Sequence, residues 1–461
     1  MQRLLAITWL TWKAAFRFRL FLVIAGLLLA AVVILPLVIQ DDGTARGFTQ
    51  ILLTYTLTVI TGLLGLSTLW LACGTLARDI EECQMQVVAT KPIARWQIWL
   101  GKWLGIVSLN AALLALSGAC VYGLLLWRAA KLPLAEQQVL RQQVLVARGS
   151  ARERSYDQEI DTTTERILQG RLKTSPVDQV DVPEVRRQIR EQVKADLQLV
   201  PPGYTRPWRI DLGLVKNFLR NQPLQLRVKF NSPQGKSSDI YLAMWQAGVP
   251  GTARFWQSEP MRLAPNTINE FQIPANLFDD QGVLTVVFMN PNNLSLLFPL
   301  EDGLEVLYPQ GSFELNYARG LGIIFCWMAL LAALGLMAAS FLTFPVAAFF
   351  SLALLLIGLS SGTLAEAVGS GTVAAGNAET GVLGHTAADV VLIPLFKGLL
   401  VIINLAGKFS PIDSLSSGRS ISWTDLGLAF GQIVLLLGGL LSVIGIGLFQ
   451  RRELATAQGN Q

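Results

Sequence analysis

Few residues of this chain have the types and spacing that catalysis or nucleotide binding requires. The fragment Gly235-Lys236-Ser237 comes nearest to a phosphate-binding loop, but Phe230 occupies the position where that loop needs a glycine. The patterns G-x-S-x-G and H-E-x-x-H are absent, and the chain has a single histidine, His385. We therefore expect no catalytic residue, no metal ligand and no cofactor in this chain.

Residues that could support disulfide bonding, zinc binding or ion coupling are also sparse. The cysteines form no C-x-x-C pair; they are Cys73, Cys83, Cys120 and Cys326. Inside the apolar runs only Asn110 and Gln432 are strongly polar, and Glu366 lies at the end of one run. Carriers driven by protons or sodium need ionisable groups within the membrane. The sequence therefore argues against ion-coupled transport.

The most informative polar stretch is residues 78–102, which lies between two long apolar runs. It begins as a charged helix, turns before Pro92 and continues as an amphipathic helix that leads into the next apolar run. This stretch is too long for a tight hairpin between two helices. We therefore expect it to carry a function.

The composition indicates that apolar and polar segments are separated along the chain. Of 461 residues, 52% are hydrophobic and 15% are charged, whereas a soluble domain has about 25% charged residues. Residues 128–317 hold 22 basic and 21 acidic side chains, so this polar block is nearly neutral. The net charge of +5 therefore belongs mainly to the flanks of apolar runs, and a nucleic-acid partner is not indicated.

Apolar runs of the length that crosses a bilayer occur six times. A helix needs roughly 20 apolar residues for this purpose. The predicted spans are 20–39, 51–76, 104–127, 321–342, 345–365 and 426–449. The first is longer than the apolar core of a signal peptide, so we expect it to be retained. A seventh run, 390–407, is interrupted by Pro394 and Lys397, which favours a re-entrant or interfacial segment.

Basic residues concentrate at one set of span ends, which sets the predicted orientation. They are Arg3, Lys13, Arg17, Arg19, Arg78, Lys91, Arg95, Lys102, Arg451 and Arg452. Both termini are therefore expected in the cytoplasm, with the polar block outside. The predicted location is the cytoplasmic (inner) membrane of a bacterium.

The polar block divides into a helical part and a strand-rich part. Residues 128–203 predict a charged helical stalk, although a docking surface for a partner is an alternative. Residues 204–318 predict a β-sandwich, because several short runs with period two alternate with turn sequences. In one of these runs Gln225 and Arg227 fall on the expected wet face. The layout is similar to a jelly roll, which by itself identifies no ligand.

Three tryptophans of this block could form a platform for a saccharide, although aromatic residues in strands more often belong to a core. They are Trp208, Trp245 and Trp256. The predicted fold is thus an α-helical polytopic membrane protein with six transmembrane helices. An extracytoplasmic α+β insertion, with a helical stalk and a jelly-roll-like sandwich, separates spans three and four. The predicted divisions are 1–127, 128–203, 204–318 and 319–461.

Three motifs in order give the chain a family resemblance. The first is the 78–102 stretch, in which an acidic residue precedes an apolar pair, a Lys-Pro turn, a basic residue and Gly101-Lys102. The second is the approach to the last span, Gly418 to Leu426, with Ile421, Trp423 and Asp425. The third is the ending Phe449-Gln450-Arg451-Arg452-Glu453-Leu454. Together these resemble type-2 ABC transporter permeases over residues 1–127 and 320–454.

The resemblance implies a coupling helix that docks in a groove of a separate ATPase subunit. The residues that it assigns to coupling are Glu81, Glu82, Val87, Val88, Thr90, Lys91, Pro92 and Arg95. It also implies an N-terminal interfacial helix; the membrane anchors would be Trp9, Trp12, Arg17, Arg19, Arg451 and Arg452. The chain departs from the family at Cys83-Gln84, where Gly-Thr is usual, and in its large outer insertion.

The implied mechanism places ATP and Mg in the partner ATPase and pairs two permease chains, identical or different. ATP-driven closure would open an outward path for a hydrophobic or amphiphilic cargo, since the spans are apolar and uncharged. Two alternatives remain at this point. One is an ABC-like complex that transmits motion to an extracytoplasmic protein or saccharide without transport, and the other is a membrane-anchored binding module.

Overall fold

The computed structural model of the chain describes residues 2–17, 19–38, 44–82, 93–174, 182–233, 239–249, 251–370 and 388–452. The chain divides into two compact units. A helical unit contains Met1–Ala147 and Gly311–Gln461, and a polar unit contains Arg148–Gln310. The compact units therefore divide at 147/148 and 310/311, inside the predicted stalk and sandwich segments.

The helical unit consists of long apolar helices and short connecting helices. They are α1 (Gln2–Arg17), α2 (Arg19–Val38), α3 (Ala45–Glu81), α4 (Arg95–Ala129), α5 (Leu134–Val139), a π-helical turn (Leu140–Val144), α9 (Phe313–Ala339), α10 (Phe344–Leu359), α11 (Ser361–Ser370), α12 (Asp389–Gly407), α13 (Pro411–Ser416), α14 (Trp423–Ala429), a π-helical stretch (Phe430–Gly438) and α15 (Gly439–Arg451). The last three form one continuous apolar helix, Trp423–Arg451.

Six helices of the described chain are long and apolar enough to cross a membrane. Two of them, α3 and α4, contain the second and third predicted spans, α2 and α9 overlap most of the first and fourth, and Trp423–Arg451 contains the last one. With 37 residues, α3 is about 55 Å long, whereas a bilayer core is about 30 Å thick. The charged end of α3 must therefore project beyond the apolar zone.

The region of the fifth predicted span differs from a simple straight helix. There α10 and α11 are long and apolar enough to cross a membrane only as a pair, and their axes bend by 59° at Ser360. The seventh run, predicted as a re-entrant or interfacial segment, forms one helix, α12, which continues through Pro394. A proline removes one backbone hydrogen bond but does not have to end a helix. By length and composition α12 is the sixth candidate span.

The direction of each helix follows from contacts along its length. Arg319 lies against the ring of Trp423, and Gly445 packs against Met337, so α9 and the last helix run in the same direction. The chain must therefore return once between them. By length and apolarity, the bent α10–α11 pair and α12 are the candidates for that return within the described chain.

Close helix contacts in this unit depend on small residues. A Cβ at Gly101 would lie 2.7 Å from the Cβ of Ile7, and one at Gly105 would lie 2.6 Å from the Cβ of Thr11. The backbone of α4 can therefore approach α1 closely along one turn, as small-xxx-small patterns allow in apolar bundles. Deeper in the bundle, Asn110 donates a 2.8 Å hydrogen bond to Thr68 and ties α4 to α3.

The polar unit contains a helical hairpin, two facing sheets and a small two-stranded sheet of β2 and β10. Its elements are β1 (Val146–Ala151), α6 (Asp157–Thr174), α7 (Val182–Gln198), β2 (Leu199–Val200), β3 (Thr205–Asp211), a 3-10 turn (Gly213–Val215), α8 (Lys216–Leu219), β4 (Leu224–Val228), β5 (Tyr241–Gly248), β6 (Phe255–Gln257), β7 (Met261–Leu263), β8 (Asn269–Ile273), β9 (Val283–Met289), β10 (Leu296–Leu297) and β11 (Leu304–Ser312). A strand, β1, occupies part of the segment predicted as helical stalk.

A β-sandwich forms the main core of this unit. One sheet has the order β1-β11-β4-β8, and the other has the order β3-β9-β5-β6, with β7 also paired to β5. Apolar side chains from both sheets meet in one buried cluster, including Leu226 of β4, Trp245 of β5 and Phe288 of β9. The sheets therefore enclose a core without any cysteine. The α6–α7 hairpin has a small core of its own around Ile160, Leu168, Ile189 and Val193.

Candidate functional site: a polar network at the basic end

One end of the helical unit gathers the charged residues that flank the spans. We call it the basic end and define it by Arg78, Arg95, Lys102 and Arg452. Here α3 ends and α4 begins, within the segment 78–102 that was predicted to carry the coupling role. Of the predicted coupling residues, Val87, Val88, Thr90, Lys91 and Pro92 lie outside the described residues. Glu81, Glu82 and Arg95 lie within them.

A partly buried ion pair joins α3 to α4. The ammonium of Lys102 lies 2.5 Å from Asp79 Oδ2 and donates a 2.6 Å hydrogen bond to the carbonyl of Thr75. Only 7% of the Lys102 side chain is exposed. Buried charges are tolerated when they are paired and hydrogen-bonded. The Lys102 charge therefore fixes the first turns of α4 against the last turns of α3.

The guanidinium of Arg95 closes the end of the last helix. Its Nη1 donates to three backbone carbonyls, at 3.1 Å to Phe449, 2.7 Å to Gln450 and 2.9 Å to Arg452. The last carbonyls of a helix lack partners within the helix, and a cation there also interacts favourably with the helix dipole. Arg95 thus binds α4 to the end of α15, although the sequence motif assigned this residue to ATPase coupling.

Glu81 and Arg452 bind the two ends of the turn between α9 and α10. Glu81 Oε1 accepts a 2.8 Å hydrogen bond from the backbone N–H of Phe344, at the start of α10. Arg452 Nη1 donates a 3.1 Å hydrogen bond to the carbonyl of Ala339, at the end of α9. The guanidinium carbon of Arg78 lies 4.4 Å from the centre of the Phe344 ring. The same small region therefore holds five helix ends, from α3, α4, α9, α10 and α15.

These contacts give three of the predicted site residues, Glu81, Arg95 and Arg452, partners within the chain. Arg452 was predicted as a membrane anchor, but its guanidinium turns inward to α9, while the neighbouring Arg451 is exposed. Glu81 and Arg95 have partners within the chain, so neither is a freely available docking side chain. Glu82 is exposed at the C-cap of α3.

The predicted interfacial helix α1 presents two different faces. Ile7, Thr11 and Ala15 are buried, and Trp12 Nε1 donates a 2.9 Å hydrogen bond to Ser108 of α4. Trp9 is 60% exposed, and the ammonium of Lys13 lies 5.7 Å from its ring centre. The exposed apolar residues Leu5, Leu10 and Phe16 accompany Trp9. Arg17 is exposed at the end of the helix, whereas the side chain of Arg19 lies outside the described residues.

The predicted tryptophan platform is not present. Trp245 is fully buried and Trp208 is 3% exposed; their ring centres lie 6.0 Å apart inside the sandwich. Trp256 is half-buried and stacks on Phe271 at 6.4 Å. A saccharide platform needs an accessible ring face, and the two core rings have none. The aromatic residues stabilise the sandwich by area burial and by edge and tilted ring contacts.

The outer face of the β1-β11-β4-β8 sheet carries a buried row of charges that sequence reasoning missed. Arg148 lies 2.9 Å from Glu270, and Arg227 lies 2.6 Å from Glu270 and 3.6 Å from Glu305. Arg227 was predicted on a wet face but is 5% exposed, and burial lowers its pKa. The alternating strand pattern correctly placed Arg227 on the face opposite the sandwich core. It could not show that opposite charges on neighbouring strands pair on that face.

Among the described residues no group of three or more His, Cys, Asp or Glu side chains could hold a metal ion. His385, Cys83 and residues 235–237 lie outside the described part. Comparison with known proteins gives no match: no family model fits the chain, and neither a curated protein nor a solved structure is similar to it.

Proposed function

We propose that the chain is the membrane permease subunit of an ATP-driven transporter of the type-2 ABC class. The observation that carries this proposal is the polar network at the basic end. A partner docked on segment 78–102 would act directly on α3 and α4, and through Arg95, Glu81 and Arg452 on α15, α10 and α9. The sequence resemblance assigns that docking role to the same segment.

The cargo that fits these helices is hydrophobic or amphiphilic. The interior polar contact between Asn110 and Thr68 is a local hydrogen bond between helices, and ionisable groups lie mainly at helix ends. Energy from an ion gradient would require charged groups along the helices. We therefore assign the energy source to a separate ATPase subunit that binds ATP and Mg. A second permease chain would complete the pathway.

The proposal places the basic end and both termini in the cytoplasm and the polar unit outside it, in a bacterial inner membrane. It is supported by the path of the chain, because α1 packs against the first turns of α4 and α15 ends at Arg95. Both terminal helices of the described chain thus reach the basic end. An even number of crossings is required for this arrangement.

Purification of the tagged full chain from membranes of its native host tests this function. We expect an ATPase with a phosphate-binding loop to copurify, and Glu82→Lys to reduce its recovery about tenfold, because charge reversal at a docked carboxylate introduces repulsion. Glu159→Lys, at an exposed position of the polar unit, is the matched control. Absence of any such ATPase from the wild-type preparation would contradict the proposal.

A second candidate function, transmission of motion to an extracytoplasmic partner, is favoured by one observation. Strand β11 ends at Ser312 and α9 begins at Phe313, so sheet and helix join without a linker. The β11 carboxylate of Glu305 also belongs to the buried ionic row with Arg227. If the complex hydrolyses ATP in vesicles without moving amphiphiles, and the polar unit retains a protein partner, this second function is the correct one.

A further inference from the structure

A small cavity lies at the other end of the helical unit, away from the basic end. Its volume is about 230 Å³, and it lies between α9, the end of α12, α13 and the start of α14. Ile323, Phe409 and Ile421 form an apolar side, and all three are buried in the main helical core. Lys408, Ser410, Ser414, Ser420 and Asp425 form a polar side.

The polar side offers groups without partners. Among the described residues, the Lys408 ammonium has no ion-pair or hydrogen-bond partner, and the Ser420 hydroxyl has none either. Asp425 uses Oδ2 to accept a 3.0 Å hydrogen bond from the Ser422 N–H in a capping box. Its Oδ1 makes no hydrogen bond within the described chain. A cation, a hydroxyl and a carboxylate oxygen are thus available in one cavity.

The walls of this cavity are fixed in place by a buried amide. Asn316 of α9 is fully buried; its Nδ2 donates a 2.8 Å hydrogen bond to the carbonyl of Arg419, and its Oδ1 accepts a 2.7 Å hydrogen bond from the N–H of Ile421. Arg319 also donates to the carbonyl of Ile421. The segment that carries Ser420 therefore lies against α9 in a fixed position, and the cavity is preformed.

Size and chemistry together select the ligand. Pockets for whole drug-sized molecules measure roughly 300–1,000 Å³, so this cavity admits only a small group. The adjoining helices expose apolar side chains, including Val401 and Ile402 of α12 and Leu428 of α14, along which acyl chains can lie. Lys408 and Ser420 suit a phosphate, and Asp425 suits an ammonium.

We propose that this cavity binds the zwitterionic phosphoethanolamine headgroup of a phospholipid. Lys408 and the Ser420 hydroxyl hold the phosphate, Asp425 Oδ1 accepts hydrogen bonds from the amine, and the acyl chains lie along the exposed side chains of Val401, Ile402 and Leu428. The inference deepens the proposed function by naming an amphiphile class and rests on it for the membrane setting. A soluble phosphoethanolamine compound shares this chemistry, so the test must separate the two sources.

The test is native mass spectrometry of the detergent-solubilised full chain with equimolar dioleoyl phosphatidylethanolamine and dioleoyl phosphatidylglycerol. We expect the wild type to retain the ethanolamine lipid about tenfold more than the glycerol lipid, since only the former supplies the charged amine. Lys408→Gln should reduce retention of both lipids. Asp425→Asn, which keeps an oxygen for the capping box, should remove only the preference between them.

Lys397→Gln is the matched control, because Lys397 lies on α12 but does not line the cavity. Equal retention of both lipids by the wild type, or retention unchanged in Lys408→Gln, would overturn the proposal. Displacement of the lipid by equimolar glycerophosphoethanolamine would show that the cavity binds a soluble phosphoethanolamine compound rather than a phospholipid. Because no ATPase takes part, failure of the copurification experiment leaves this result intact, and failure here does not affect copurification.

Discussion

At the scale of single residues, the network shows why charge type alone does not identify a docking side chain. Arg95 and Arg451 are both basic and both flank a span, yet Arg95 donates to three carbonyls and Arg451 is exposed. All three contacts come from one nitrogen, Nη1, which carries two N–H groups, so at least two of the carbonyls share a donor. Arg95 is therefore a structural connector between α4 and α15, and any effect on coupling would act through those helices.

We expect Arg95→Gln to destabilise the helical unit by about 1–3 kcal/mol, because it leaves helix-end carbonyls without a charged donor. Arg95→Lys should recover part of this loss. The measurement is the thermal unfolding midpoint of the detergent-solubilised full chain. Arg451→Gln is the control and should shift the midpoint little. Equal shifts for Arg95→Gln and Arg451→Gln would contradict the connector role.

The tryptophans of the polar unit give a second test at this scale. Trp245 contacts Phe288 at 4.9 Å between ring centres and is fully buried, so Trp245→Ala should cost about 3–5 kcal/mol. Trp256→Ala should cost clearly less, because its ring is half-buried. The measurement is chemical unfolding of each variant, with the protease resistance of the polar unit as the signal. The free energies of unfolding of the two variants are then compared. A larger loss for Trp256→Ala would show that the core is assigned incorrectly.

The environment of a residue could be predicted from the sequence only where a local pattern determines its burial. The pattern of residues 224–230 predicted the strand and its buried face, but the burial of Arg227 depends on Glu270 and Glu305, which are distant in sequence. A motif singled out Glu81 and Arg95 as predicted coupling residues, whereas their partners Phe344 and Phe449 lie more than 250 residues away. Such contacts have no local signal.

At the scale of elements, hydropathy predicted most helices because lipid-facing and buried apolar residues give the same long runs. It could not predict the 59° bend after α10 or the continuity of α12 through Pro394, since both depend on packing around the helix. Hydropathy also gave no indication that α1 packs on α4. That contact depends on two glycines spaced four residues apart.

We expect Gly105→Leu to separate α1 from α4, because even a Cβ at this position would lie 2.6 Å from Thr11. Overpacking of this kind costs about 1–3 kcal/mol. The readout is limited trypsin cleavage after Lys13 and Arg17 in the detergent-solubilised full chain, which should become faster. Gly123→Leu on the same helix is the control, since a Cβ at Gly123 would meet nothing within 4 Å. Equal cleavage of both variants would exclude close α1–α4 packing.

At the scale of the whole molecule, the path of the chain limits how the helices can cross a membrane. Since α9 and the last helix run in the same direction, one return must lie between Phe344 and Lys408. The return by α10–α11 is the better solution, because Lys397 is exposed in the middle of α12. A lysine at the centre of a lipid-facing helix costs roughly 2.5–3.5 kcal/mol or more. The α10–α11 pair carries no charge before Glu366.

This choice leads to a labelling prediction for a chain in which Cys73, Cys83, Cys120 and Cys326 are replaced by alanine. Single cysteines at the exposed positions Ser155, Ala388 and Ser410 should react with a membrane-impermeant maleimide on intact cells, because the polar unit and both ends of α12 face outward in the proposed topology. Glu82→Cys should react only after the membrane is opened.

The two ends of α12 distinguish the alternatives. If Ser410→Cys reacts on intact cells and Ala388→Cys does so only after the membrane is opened, α12 crosses the membrane and α10–α11 is the re-entrant element. Reaction of Glu82→Cys on intact cells with protection of Ser155→Cys would invert the whole arrangement and contradict the orientation set by the basic residues. Either result still allows an even number of crossings, because the parallel course of α9 and the last helix permits only one return between them.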